Sequence, residues 1–270
     1  MICNKYELLE KIGQGAFSQI FKGRNIRTGE LIAIKIEPKT ATIKLLQNET
    51  RIYKYLNEIE GIRIPTMKWF GVDTANYYMV ISLLGKSVES FKREQPGGQV
   101  SLSTVLNIGI QMIRLLESIH KAQLIHRDVK PDNFLFGKEQ LYMIDFGFCT
   151  KYKTNVTACK SSNLIGTPKF ASIAGHEFVE LSRCDDLESV GYILIYLFMG
   201  ELEWDQISDN DTIKMMKMRI SENTEIPRVF IDYLKKVKNM KTLNYDRLIS
   251  GFTPLEELRE RSHHESQVLR

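Results

Sequence analysis

The sequence predicts an α+β fold with two lobes, a five-stranded antiparallel sheet plus one helix followed by a larger, mainly helical lobe. Three observations predict it. Short segments rich in apolar and β-branched residues, separated by glycine-containing turns, fill the first third of the chain. Beyond about residue 83 the apolar spacing changes to three and four residues, the period of helices. The chain has 270 residues, 43% of them apolar and 26% charged, which suits a globular core and argues against disorder.

Strands are expected at 6–12, 17–23 and 31–37, the last two separated by the turn at Thr28 and Gly29. A helix is expected over 41–57, where Ile43, Leu46, Thr50, Tyr53 and Leu56 share one face. Two further strands follow, near 67–72 and 77–82. In the second lobe Leu102, Val105, Leu106, Gly109, Met112, Ile113, Leu116 and Ile119 trace a helical face, with Ser101 or Ser103 as its N-cap. Residues 185–199 are apolar nearly all round, as a helix buried in the middle of a domain should be. The expected organisation is a first lobe over 1–82, a hinge over 83–86 and a second lobe over 87–258. Apolar residues thin out beyond 259, so 259–270 are expected to form a flexible end.

Charge excludes little and favours little. The net charge of +4 is spread along the chain without a basic block, so no nucleic-acid arm is expected. Cys3, Cys149, Cys159 and Cys184 show no zinc spacing and read as free thiols of a reducing compartment. The first ten residues do not form a signal peptide, and the run 190–199 is too short to cross a bilayer. An intracellular monomer of the cytoplasm or nucleus, without membrane attachment, is the expectation.

Several short motifs carry chemistry. Gly13 and Gly15 lie between two expected strands, where backbone N–H groups can approach phosphate oxygens without an intervening Cβ. An ordinary hairpin turn uses glycine as readily, and the strand that follows argues against a dinucleotide fold or a P-loop. Lys35 ends the apolar run Ile32, Ala33, Ile34; it could be an outward-facing strand residue or a phosphate ligand. Glu49, fourteen residues later on the expected helix, could pair with it and hold its ammonium against α- and β-phosphates.

The decisive stretch is His126-Arg127-Asp128-Val129-Lys130-Pro131-Asp132-Asn133. Asp128 is placed to take or orient the proton of an incoming hydroxyl, Lys130 to neutralise a transferring phosphoryl group, and Asn133 to offer an amide oxygen to a metal ion. Asp145, opening Asp145-Phe146-Gly147, supplies the hard carboxylate that Mg²⁺ requires. Together, in this order and spacing, these motifs match the protein-kinase signature set.

The rest of the chain resembles the casein kinase I family. Gly166-Thr167-Pro168-Lys169-Phe170-Ala171-Ser172-Ile173-Ala174 stands where most kinases carry Ala-Pro-Glu and that family carries Ser-Ile-Asn. Residues 182–192 resemble its central helix, and 83–89 its hinge. The resemblance spans 6–248 and implies a Ser/Thr protein kinase using ATP and Mg²⁺ on protein substrates, at acidic or phosphate-primed sites. It implies that Ile12, Ile20, Ala33, Leu135 and Ile144 sandwich adenine, that the Leu84 backbone bonds its edge, and that Ile81 is the gatekeeper. It also implies that Asp186 braces the catalytic loop. Lys169 matches a basic position of the family's anion pocket, with Lys214 or Lys217 as its second member, although Lys169 could be a plain surface lysine. Three departures stand out: Ser18 for the third loop glycine, Ser90 for a ribose-binding aspartate, and Ala174 for asparagine. They leave open a pseudokinase that binds nucleotide or partners without turnover, and a related branch such as the vaccinia-related or tau-tubulin kinases.

Overall fold

The computed structural model describes residues 2–15, 17–152, 164–240 and 242–252. Cys159 and the expected flexible end at 259–270 lie outside the described residues. Five strands form the first sheet: β1 (Tyr6–Gln14), β2 (Gln19–Asn25), β3 (Leu31–Pro38), β4 (Met67–Val72) and β5 (Asn76–Ser82). They run in the order β1-β2-β3-β5-β4, every pair antiparallel. The period of two along β3 divides its side chains between the faces. Ile32 and Ile34 join Ile2, Tyr6 and Val80 in a small core on one face. Lys35 and Glu37 fall on the other, toward helix α1 (Leu46–Asn57).

Helix α1 starts at Leu46, not at Ala41. Ile43, which continued the helical spacing in sequence, lies outside the helix and is exposed. No local side chain caps this terminus, whose N-cap residue is Leu45. The Glu37 carboxylate caps it from β3, Oε2 accepting from the amides of Leu45 at 2.8 Å and Leu46 at 2.9 Å. A start set by a side chain eight residues upstream is invisible to local periodicity.

The second lobe contains α2 (Val88–Arg93), α3 (Leu102–Lys121), β6 (Leu124–Ile125), β7 (Phe134–Phe136), β8 (Leu141–Met143) and β9 (Thr150–Lys151). It continues with α4 (Ile173–His176), α5 (Arg183–Met199), α6 (Asn210–Arg219), α7 (Arg228–Lys238) and α8 (Tyr245–Ile249). Ser101 caps α3 through the Thr104 amide. Helix α3 has the length and hydropathy of a membrane span, but its apolar residues Val105, Met112, Ile113, Leu116 and Ile119 are buried in the main core. Helix α5 begins in a capping box between Ser182 and Asp185 and buries residues on all sides. Gly191 lets α7 approach α5, since a Cβ there would sit 2.4 Å from Leu234. The chain passes between lobes through Leu83, Leu84, Gly85 and Lys86. Gly85 N donates to Phe136 O and Phe136 N donates to Lys86 O, both at 2.9 Å, which ties this crossing to β7.

Candidate active site

Lys35 and Glu49 meet between β3 and α1, and Asp145 joins them from the loop after β8. Lys35 Nζ lies 2.7 Å from Glu49 Oε2 and 2.9 Å from Asp145 Oδ1. The Lys35 side chain is 14% exposed, so this is a desolvated triad. Burial alone would lower the Lys35 pKa, but the charges of Asp145 and Glu49 outweigh it and raise the pKa above the ordinary lysine value. One ammonium cannot neutralise two carboxylates. Asp145, lifted by burial but lowered more by Lys35, falls to about 2. Glu49 is the loser: burial lifts it to about 7 against the pull of Lys35, and the Asp145 charge adds to the rise.

Below the triad lies the catalytic loop. Both oxygens of the Asp128 carboxylate are oriented: Lys130 Nζ donates to Oδ2 at 2.7 Å and Thr167 Oγ1 donates to Oδ1 at 2.8 Å. Asn133 Nδ2 donates to Asp128 O at 2.8 Å, which fixes Oδ1 as the end of that amide available to a cation. The Ile144 amide donates to Asn133 O at 3.0 Å and brings the strand leading to Asp145 alongside. Arg127 (φ 70°) and Asp145 (φ 63°) occupy the left-handed region that non-glycine residues avoid.

Asp186, at the start of α5, holds the strained loop. Its carboxylate accepts from the amides of His126 and Arg127, each at 2.8 Å, and contacts His120 Nε2 at 2.9 Å. Burial would raise its pKa, but His120 and the loop amides lower it instead. Arg127 Nε donates to Phe148 O at 2.7 Å, joining the same loop to the segment after Asp145. Rings connect the layers: Phe146 meets Tyr53 of α1 at 5.1 Å and His126 at 5.4 Å, both edge to face.

Most side chains assigned to adenine lie on the strands of the first sheet, with Leu84 at the crossing between lobes, Leu135 on β7 and Ile144 after β8. Gly13 pairs with Ile20 and Ala33 with Ile81 across the sheet. Gly15 N closes the hairpin on Ser18 O at 2.8 Å, with Ser18 buried beneath. Ile12 is 47% exposed, and Ile20, Ile81, Leu84, Leu135 and Ile144 are half-buried. Ser90 is engaged in the N-terminus of α2, its amide and hydroxyl both bonded to Ser87 Oγ at 3.1 Å.

Each of the three lysines assigned to an anion pocket has a partner within the chain. Lys169 Nζ lies 2.6 Å from Asp205 Oδ2 and 3.7 Å from the centre of the Tyr196 ring. Lys214 is on α6, 3.6 Å from Asp211. Lys217 corrects the expectation most clearly: it is 1% exposed and points inward. Its Nζ donates to Pro168 O at 2.9 Å and Ala171 O at 2.6 Å and contacts His176 Nε2 at 3.1 Å. The rings of Tyr192 and Trp204 lie 4.8 and 5.3 Å away. Burial, opposed by the Glu188 charge, takes this ammonium down to about 7. Lys217 therefore fastens the backbone next to Thr167, in a chain whose segment there lacks Ala-Pro-Glu. Thr167 itself gave no sequence signal, because its partners lie 37 and 39 residues away.

The donor set suits magnesium. Asp145, ionised at neutral pH, and the Asn133 amide oxygen are two hard ligands of the kind that hold Mg²⁺ together with substrate phosphates. Among the described residues no cluster of three or more His, Cys, Asp or Glu offers an all-protein metal cage.

The architecture is shared with solved kinases. The structure of vaccinia related kinase 3 superposes with a TM-score of 0.81 at 21% sequence identity, covering 94% of this chain and 88% of that one. The family described as Protein kinase domain matches residues 6–254. With that match spanning both lobes and the Lys35–Glu49–Asp145 triad in place, the chain belongs to the protein kinase domain family.

Proposed function

We propose that this protein is an active serine/threonine kinase of the casein kinase I type, transferring the γ-phosphoryl group of ATP to hydroxyls of protein substrates. The observation that carries the reading is the Lys35 ammonium held at 2.7 and 2.9 Å by Glu49 and Asp145, with Asp128 oriented through both its oxygens. Lys35 holds the α- and β-phosphates. Asp145 and Asn133 would hold Mg²⁺, which when bound neutralises phosphate charge as it develops. Asp128 takes the proton of the acceptor hydroxyl, and Lys130, 2.7 Å from it, neutralises the transferring group. Ile12, Gly13, Gly15, Ile20, Ala33, Ile81, Leu84, Leu135 and Ile144 make the nucleotide slot.

The preference for acidic or phosphate-primed sites rests on Lys169. A phosphoserine must displace Asp205 from that ammonium, and a lysine receives it as a point charge without bidentate geometry. A peptide panel with and without an upstream phosphoserine, run with Lys169→Glu, reads this directly. Equal rates on primed and unprimed peptides remove the preference and leave the kinase reading standing.

The test of the reading itself is Mg²⁺-dependent transfer from ATP to casein by the parent and by Asp128→Asn. The variant should lose about 10²–10⁴-fold in kcat, the range of general-base contributions. Equal rates would show that Asp128 is not the base. Thermal stabilisation of the parent by Mg²⁺ and ATP without any transfer would favour the pseudokinase reading, which Ser18 and Ser90 motivate.

A further inference from the structure

Helix α1 brings Glu49 to Lys35, yet its own N-terminus has none of the usual means of staying in place. A helix leaves its first amides without partners, and Ser, Thr, Asp or Asn normally supplies one. Here the N-cap position is Leu45 and no local side chain bonds to it. Two side chains outside the Lys35–Glu49 pair fasten its N-terminal end, while Tyr55 and Asn57 bond to Ala122, Pro65 and Met67 nearer its C-terminus. Glu37 follows Lys35 by two residues on the same face of β3. It is buried, and its Oε2 takes the amides of both Leu45 and Leu46.

The second is Asn48, the neighbour of Glu49 in the first turn. Its Nδ2 donates to Gly147 O and to Cys149 O, each at 3.0 Å. Two carbonyl acceptors determine the orientation of the amide, because only its NH₂ end can donate. These carbonyls flank the exit of the Asp145-Phe146-Gly147 turn, where Asp145 is held at φ 63°. One turn further along the helix, Tyr53 touches the Phe146 ring. The helix is thus bonded to the strand that bears Lys35 and to the segment that bears Asp145.

We propose that Glu37 and Asn48 are positioning residues that lock α1 against β3 and the Asp145 segment, so that Glu49 stays within reach of Lys35 when no nucleotide is bound. Four hydrogen bonds from these two side chains hold the N-terminal end of α1, the end that carries Glu49. Neither lock uses the Lys35 ammonium, so the helix holds its place even when phosphates draw Lys35 away. This assignment rests on the kinase reading for its consequence, though not for its geometry.

The experiment compares the full-length parent with Asn48→Asp, Asn48→Ala, Glu37→Gln and Glu37→Ala. Two readouts are taken: hydrogen exchange of residues 42–50 and 145–152 without nucleotide, and kcat/KM for ATP with casein. Aspartate has the shape of asparagine but cannot donate and sets a charge against two carbonyls. The lock therefore predicts the order parent, Asn48→Ala, Asn48→Asp, with a loss of about tenfold or more in kcat/KM for the last, from two hydrogen bonds. Exchange in both segments should rise in the same order. Glu37→Gln keeps an acceptor and should recover most of what Glu37→Ala loses at 42–50.

If Asn48 only fills space, Asn48→Asp matches the parent while Asn48→Ala is impaired, and the proposal is overturned. Unchanged exchange in every variant overturns it as well. Should the parent transfer no phosphate, the kinase reading fails, and the exchange arm still decides whether the locks exist.

Discussion

Replacing Asp145 by asparagine should lower the Glu49 pKa toward that of an ordinary carboxylate, leaving the part of the rise that burial causes. Both carboxylates contact the same Lys35 Nζ, at 2.7 and 2.9 Å, so their bonded oxygens are no more than about 6 Å apart. At an effective dielectric of about 20 their repulsion is about 3 kcal/mol, enough to bring Glu49 down by about 2 pH units once Asp145 is neutral. The folded parent keeps the Glu49 proton up to about pH 7, whereas the unfolded chain releases it near 4.5. The contribution of Glu49 to stability is therefore fully present below pH 4.5 and is lost as the pH rises to 7, by about 3 kcal/mol in all.

His176 works in the opposite direction. Burial and the neighbouring Lys217 charge lower it to about 4, so its contribution improves as the pH rises from 4 toward 6.5. The parent profile therefore sums opposing slopes, and the difference between parent and Asp145→Asn isolates Glu49. The assay is urea unfolding of the nucleotide-free proteins at several values between pH 4.5 and 7. Stability of the variant should gain on that of the parent as pH rises across this window. A difference that does not change with pH would refute the assignment of the raised proton to Glu49 and its cause.

Two further outcomes are expected. Asp186→Asn keeps one acceptor oxygen and sets its NH₂ against the other of the His126 and Arg127 amides, and should cost about 3–5 kcal/mol in urea unfolding, as breaking a buried charged network does; a cost below about 1 kcal/mol would refute its bracing role. Lys217, lowered to about 7, should make the parent more stable as the pH rises from 7 to 9, by about 1.4 kcal/mol per pH unit at most, and Lys217→Met should abolish that slope.

What the sequence made legible were features written locally. Strand β4 lies at Met67–Val72 as its composition predicts, and the five-strand sheet and central helix follow the apolar spacing. The Lys35–Glu49 pair was legible because its members lie 14 residues apart, on a strand and on the helix that follows it. The features that escaped depend on contacts between distant segments. Glu37 sets where α1 begins, Asn48 reaches a segment 99 residues on, and Thr167 meets Asp128 across 39. Lys217 misled for a related reason. A lysine on a polar helix reads as solvated, and only the fold reveals three acceptors and two aromatic rings gathered around it.

The edge-to-face series Tyr53, Phe146, His126 has a mechanical consequence. Each junction is worth about 0.5–1.5 kcal/mol, so the column resists shear yet yields at little cost if one ring turns. Away from the polypeptide crossing at Leu83 and Leu84, this column of rings stands beside the Lys35–Asp145 pair and the Asn48 bonds as a support beneath the upper lobe. Opening of the lobes therefore has to turn or part these rings as well as break the polar contacts beside them.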